Sequence, residues 1–169
     1  MAGEPSTLRE RRERLVRARA ADLYAEFSAL GGARGWLAYD LAWRLRGGID
    51  RLLGGPGMRR DRRANGALRV GDVVDFWRVE AVEPERRLRL RAEMRVPGRA
   101  WLEFAATDLG ARDGNPTARL VQTAEFTPHG LAGRLYWFSL LPIHARIFDR
   151  LARRVGELAE ARARAAAAG

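Results

Sequence analysis

The chain has 169 residues and nearly half of them are apolar, which suits one domain with a complete core and excludes disorder throughout. Its formal charge is +10, from 31 basic residues that are all Arg and 21 acidic ones. Arg without Lys, beside abundant Ala and Gly, has the look of coding bias, which weakens a nucleic-acid reading of the charge. Cys is absent, so disulfides, thiolate catalysis and Cys-ligated zinc are excluded.

Residues 1–11 are polar and read as a disordered tail, with no apolar stretch of the kind a signal peptide needs. Arg12 to Arg19 is expected to form a first strand, anchored weakly by Leu15, although helix is an alternative there. Ala20 to Leu30 predicts a short helix, because Leu23, Phe27 and Leu30 share a face and Gly31-Gly32 follows. Trp36 to Leu53 predicts a second helix with Leu37, Leu41, Leu45, Ile49 and Leu52 on one stripe. Gly54-Gly55-Pro56-Gly57 ends it. That glycine cluster follows a helix instead of opening one, so it lacks the helix N-terminus of a phosphate loop. The basic run Arg59, Arg60, Arg62 and Arg63 reads as a solvated loop or edge strand, with an anionic partner as the alternative.

The middle of the chain predicts sheet. Val73 to Val82 is expected as one strand, placing Asp75, Trp77 and Val79 inside and Phe76 outside. Leu88, Leu90, Ala92 and Met94 alternate with charged residues, as do Ala100, Leu102 and Phe104, giving strands with one dry face. Asp108 to Pro116 is expected as a polar loop. Leu120, Gln122, Ala124 and Phe126 predict the inner face of the last strand. Thr127-Pro128-His129-Gly130 then turns the chain into a long helix. Its stripe is Trp137, Leu141, His144, Phe148, Leu151, Val155 and Leu158, with a kink expected at Pro142 and fraying over 161–169. Leu135 to Ile143, the most apolar run, is too short to span a bilayer. Strands in a row, preceded by two helices and followed by one, predict an α+β class with a curved antiparallel sheet around the long C-terminal helix, as a single cytoplasmic domain over 12–160.

Three polar side chains fall on dry phases: Asp75, Gln122 and His144. Two readings follow. In one, His144 and Asp75 are an acid–base pair, with Gln122, Tyr136 and Arg78 holding a carbonyl or carboxylate. In the other, His144 is a satisfied core imidazole and Asp75 caps a turn or pairs with an Arg. Trp77 and Trp137 either line a ligand pocket or fill a core. The pocket reading adds Met94, Leu102, Phe104, Gln122, Tyr136, Leu141 and Phe148 as lining. Trp101 and Phe76 are expected outside, either stacked under Arg or forming a protein-docking patch. His129 reads as a turn residue. No metal-ligand spacing and no cofactor motif occur.

Gly71-Asp72 before Asp75-Phe76-Trp77-Arg78-Val79-Glu80, Leu88 to Met94, and Ala100 to Phe104 resemble strands of the START-like, polyketide-cyclase-like helix-grip superfamily. Trp43-Arg44-Leu45-Arg46, Asp75-Phe76-Trp77-Arg78-Val79, Pro97-Gly98-Arg99-Ala100-Trp101-Leu102 and Gly130 to Trp137 resemble a bacterial branch of it. Members of that branch are often fused to an NAD(P)-binding dehydrogenase-like domain, although this chain carries no glycine fingerprint for a nicotinamide. The resemblance implies a cavity between sheet and helix for a small hydrophobic or amphipathic ligand, in a monomer or homodimer without nucleic acid or a membrane span. Its alternatives are a cyclase or dehydratase and an interaction module for a dehydrogenase-like partner.

Overall fold

The computed structural model describes residues 6–37 and 67–168. In chain order it contains β1 (Leu8–Val16), α1 (Ala20–Phe27), a 3-10 turn (Gly32–Arg34), β2 (Val73–Val74), β3 (Trp77–Glu83), β4 (Arg87–Ala92), β5 (Gly98–Arg112), β6 (Asn115–Pro128) and α2 (Gly130–Ala167). The strands form one antiparallel sheet in the order β1-β6-β5-β4-β3-β2. The sheet curves around α2, the helix-grip arrangement. The expected helix over 36–53, the glycine cluster after it and the basic run at 59–63 lie outside the described residues, apart from Trp36 and Leu37. No helix among the described residues is long and apolar enough to cross a membrane.

The concave face follows from period-2 alternation. Leu88 and Leu90 of β4, Leu102 and Phe104 of β5, and Leu120, Gln122, Ala124 and Phe126 of β6 are all buried. Leu151, Ala152, Val155 and Ala159 of α2 meet them, together with Leu23 and Phe27 of α1. Phe27 stacks on Phe104 at 5.4 Å between ring centroids. α1 begins where Asp108 accepts a hydrogen bond from the Ala20 N–H at 2.7 Å and Asp22 accepts one from Arg19 N–H. Both carboxylates sit at the positive end of the helix dipole.

Several boundaries differ from the sequence reading. β1 starts at Leu8, inside the stretch expected as a tail, and Val16 is its buried anchor while Leu15 is 59% exposed. The expected strand over 73–82 is broken by a two-residue turn at Asp75–Phe76, because Asp75 has φ 57° and Val74 pairs with Trp77. Asp75, Trp77 and Val79 are buried as expected, but Phe76 sits in the turn and is buried too, at 1% exposure, so the expected outer Phe76/Trp101 patch does not exist. The expected loop over 108–116 is the tip of the β5–β6 hairpin, turned by Asp113 and Gly114 with φ 52° and 76°. Asp-Gly with positive φ at both positions is the turn that matches strand twist. Both faces of this tip are solvated, so polar residues occupy both phases and the alternation that marks a strand vanishes. α2 runs unbroken through Pro142 to Ala167, past the expected end at 160, and Arg162 there bonds Glu26 of α1 at 2.8 Å.

The convex face carries an ionic lattice across five strands. Arg89 of β4 donates to Glu80 of β3, Glu103 of β5 and Glu125 of β6 at 2.7–3.1 Å, and Arg9 of β1 completes the row at Glu125. Burial of Arg89 opposes its charge, but the three carboxylate hydrogen bonds outweigh it and raise its pKa. Arg89 also lies 5.6 Å from the Trp101 ring centroid, so the expected Arg stack on Trp101 is present. A one-residue slip of any strand would break this lattice, which pins the register.

The start of α2 lies close to the sheet because Gly133 has no side chain. A Cβ there would collide with the Pro97 carbonyl oxygen and come within 2.9 Å of Pro128. Gly133→Ala is therefore expected to destabilise the protein by about 1–3 kcal/mol, measured by urea denaturation. An unchanged midpoint would contradict this close approach.

Candidate functional site

The inner face of β1 is charged where the other strands are apolar. Leu8, Glu10, Arg12, Arg14 and Val16 share one phase, and the polar members of that phase reach α2. Glu10 and Arg12 form an ion pair at 2.6 Å. Arg12 also donates to the Ala145 carbonyl at 3.1 Å, and Arg14 donates to Asp149 at 2.7 Å. Gln122 is the register partner of Arg12 on β6, and Ala124 is the partner of Glu10.

His144 sits beside this cluster. Its ring lies between Trp137 at 6.1 Å and Phe148 at 5.3 Å, and Trp137 stacks on Phe126 at 5.6 Å. Burial pushes the imidazole below its ordinary value of 6.5, and the Glu10 carboxylate pulls it back only in part. Among the described residues, five polar atoms in the interior have no hydrogen-bond partner: Glu10 Oε2, Gln122 Oε1, His144 Nδ1 and, near the β2–β3 end, Asp75 Oδ1 and Trp77 Nε1.

Asp75 belongs to a different place. Its Oδ2 accepts hydrogen bonds from the Trp36 indole at 2.8 Å and from Gly32 N–H at 3.1 Å. The indole stacks in turn on Phe76 at 6.2 Å. Gly31, with φ 81°, passes so close that a Cβ would collide with Val74. Asp75 thus ties the turn after α1 to the β2–β3 hairpin, at the far end of the strand order from Glu10. The expected His144–Asp75 pair is not formed, and the carboxylate that acts on His144 is Glu10. Arg78, expected to hold a substrate carbonyl, instead bonds Glu93 at 2.5 Å and the Gly71 carbonyl at 2.8 Å.

The remaining expected lining residues divide by depth. Trp77, Leu102, Phe104, Gln122, Trp137 and Phe148 are buried, while Met94, Tyr136 and Leu141 are half-buried. Glu10 and Arg12 are the functional candidates that the sequence reading missed. Leu8 and Val16, eight residues apart and on one phase, are the signal that brackets them. A concavity of about 660 Å³ lies against α2, lined by Leu37, Arg146, Asp149, Arg150, Arg153, Arg154 and Glu157. Its charges pair locally, Arg153 with Asp149 and Arg154 with Glu157, so it offers little to an apolar molecule.

Two outcomes separate these roles. Asp75→Ala is expected to cost about 2–4 kcal/mol, because two buried donors lose their acceptor and a left-handed φ falls on Ala. Asp75→Asn keeps an acceptor and tolerates that φ, so urea denaturation should show a loss under about 1.5 kcal/mol. Equal losses would argue against the structural role. For His144, a native value below the unfolded one means stabilisation present above pH 6.5 and lost as pH falls through the native value. Urea midpoints of wild type and His144→Gln should therefore converge as pH drops below 6.5. A constant gap would contradict it.

No curated protein sequence matches the chain. Among solved structures, the norcoclaurine synthase of Thalictrum flavum is 15% identical, with 91% of this chain and 89% of that one covered, at TM-score 0.48. The Zhui aromatase/cyclase of Streptomyces sp. R1128 is 13% identical over 89% and 94%, at TM-score 0.48. Protein CV1439 of Chromobacterium violaceum is 16% identical over 92% and 99%, at TM-score 0.47. At such values none of them transfers a ligand or a reaction to this chain. The family model described as "Protein of unknown function (DUF2867)" matches residues 4–151, and the chain belongs to that family.

Proposed function

We propose that the chain is a binding domain for a small, largely apolar ligand held between the concave face of the sheet and α2. The observation that carries this reading is that Gln122 Oε1, His144 Nδ1 and Trp77 Nε1 lie buried without a partner among mostly apolar side chains. Native interiors pair nearly all such groups, and each one left unpaired costs about 1–3 kcal/mol. A ligand that met them would recover that cost, and a few convergent polar atoms within an apolar lining are what a small-molecule site needs. Trp77, Leu102 and Phe104 would form the floor of the site. Trp137, Leu141 and Phe148 would form its roof, with Met94 and Tyr136 toward its edge.

The reading is tested by filling the space. Ala124 is buried on the inner face, between Leu102 of β5 and Glu10 of β1 in register. If the interior holds room for a ligand, Ala124→Leu should keep the urea midpoint within about 1 kcal/mol of wild type and abolish saturable quenching of Trp fluorescence by 2-naphthol. If the interior is solid, the same substitution overpacks it and costs about 1–3 kcal/mol.

A further inference from the structure

The unpaired atoms beside β1 have a chemistry that restricts what could meet them. Glu10 Oε2 and Gln122 Oε1 accept hydrogen bonds and cannot donate, and both are buried without a partner. Gln122 is 2% exposed on the inner face, and its register partner Arg12 is the residue that ion-pairs Glu10. The third atom, Nδ1 of His144, can donate or accept according to tautomer. The charge in the cluster is already balanced, since the Glu10 carboxylate is met by the Arg12 guanidinium at 2.6 Å. An anionic group would face two oxygen acceptors, and a cationic one would face Arg12. A neutral donor fits both constraints. The surroundings are flat rings: Phe126 stacked on Trp137 with an interplanar angle of 6°, then His144 and Phe148.

We infer that Glu10, Gln122 and His144 form a recognition site for a neutral hydroxyl on a flat aromatic ligand, that is, a phenol-type group. The hydroxyl donates its proton to Gln122 Oε1 or Glu10 Oε2 and accepts from the imidazole when Nδ1 carries hydrogen. Its ring lies against the Trp137–Phe148 side of the interior. Arg12 positions Glu10 and does not itself meet the ligand, because it is shared between that carboxylate and the Ala145 carbonyl. The inference rests on the proposed binding role of the interior and names the class of ligand it selects.

Four naphthalene probes of one shape separate the possibilities by calorimetry on the full chain: 2-naphthol, 2-methoxynaphthalene, 2-naphthoate and 2-naphthylmethylammonium. The wild type is expected to bind 2-naphthol about tenfold more tightly than 2-methoxynaphthalene, the size of one buried hydrogen bond, and more tightly than either charged probe. Gln122→Leu should erase most of that preference while leaving 2-methoxynaphthalene affinity within about twofold, a split that general unfolding would not produce. Equal binding of 2-naphthol and 2-methoxynaphthalene, or tighter binding of a charged probe, overturns the inference and leaves the cavity reading intact. Failure of all four to bind removes the cavity reading and the inference with it.

Discussion

The pairing of β1 with β6 is the interaction on which the rest of this molecule depends. Nine consecutive residues, Leu8 to Val16, lie in register against Phe126 to Ala118. This pairing covers β6 and places the second charged row of the chain beneath α2. It brings the most charged strand among the described residues to a face where the other strands are mostly apolar. Arg12 and Arg14 meet the helix through the Ala145 carbonyl and Asp149, so the two elements are joined by charge-assisted hydrogen bonds as well as by packing. The convex side of the same strand ends the ionic lattice at Arg9. One strand therefore fixes both faces of its edge of the sheet.

The interior contains buried polar groups of two kinds, and the difference is physical. Asp75 has donors from two segments and sits at a strained φ, the condition of a group that holds a fold together. Glu26 is similar. Burial raises its pKa, but hydrogen bonds from Arg162 and Arg34 outweigh that effect and hold it low, linking α1 to α2 and to the 3-10 turn. Asp75 keeps its Oδ1 unpaired but is anchored through Oδ2, whereas Gln122 and His144 each keep an unpaired atom with no such anchor to a second segment. Groups that bind nothing in the protein itself are the ones available to bind something else.

The fold was legible where one face of a strand is dry. Leu88, Leu90, Leu102 and Phe104 declare their strands, and the stripe from Trp137 to Leu158 declares the helix, because alternation and helical period survive wherever burial is one-sided. The β5–β6 tip was not legible, since solvent on both faces leaves no alternation to read. The first half of β1 was hidden for the opposite reason: its buried side is itself charged, so Glu10 looked like part of a solvated tail and the strand was expected only from Arg12. The Asp75 turn was hidden because a positive φ at one residue leaves no mark on the hydrophobic pattern, and the turn it makes buries Phe76 as well as its neighbours. Of the candidate site, His144, Gln122 and most of the apolar lining were visible on their elements. The carboxylate next to His144 was not, because the partnership joins residues 10 and 144 across the fold.

The central claim is that β1 brings Glu10 to a half-buried His144 whose surroundings disfavour protonation. It is tested most directly by following the His144 imidazole nitrogen resonances as a function of pH, in wild type and in Glu10→Gln. The account predicts a wild-type midpoint below the ordinary imidazole value, moving lower still when the Glu10 charge is removed, because that charge is what holds it up against burial. A midpoint at or above the ordinary value, or one indifferent to Glu10→Gln, would contradict it.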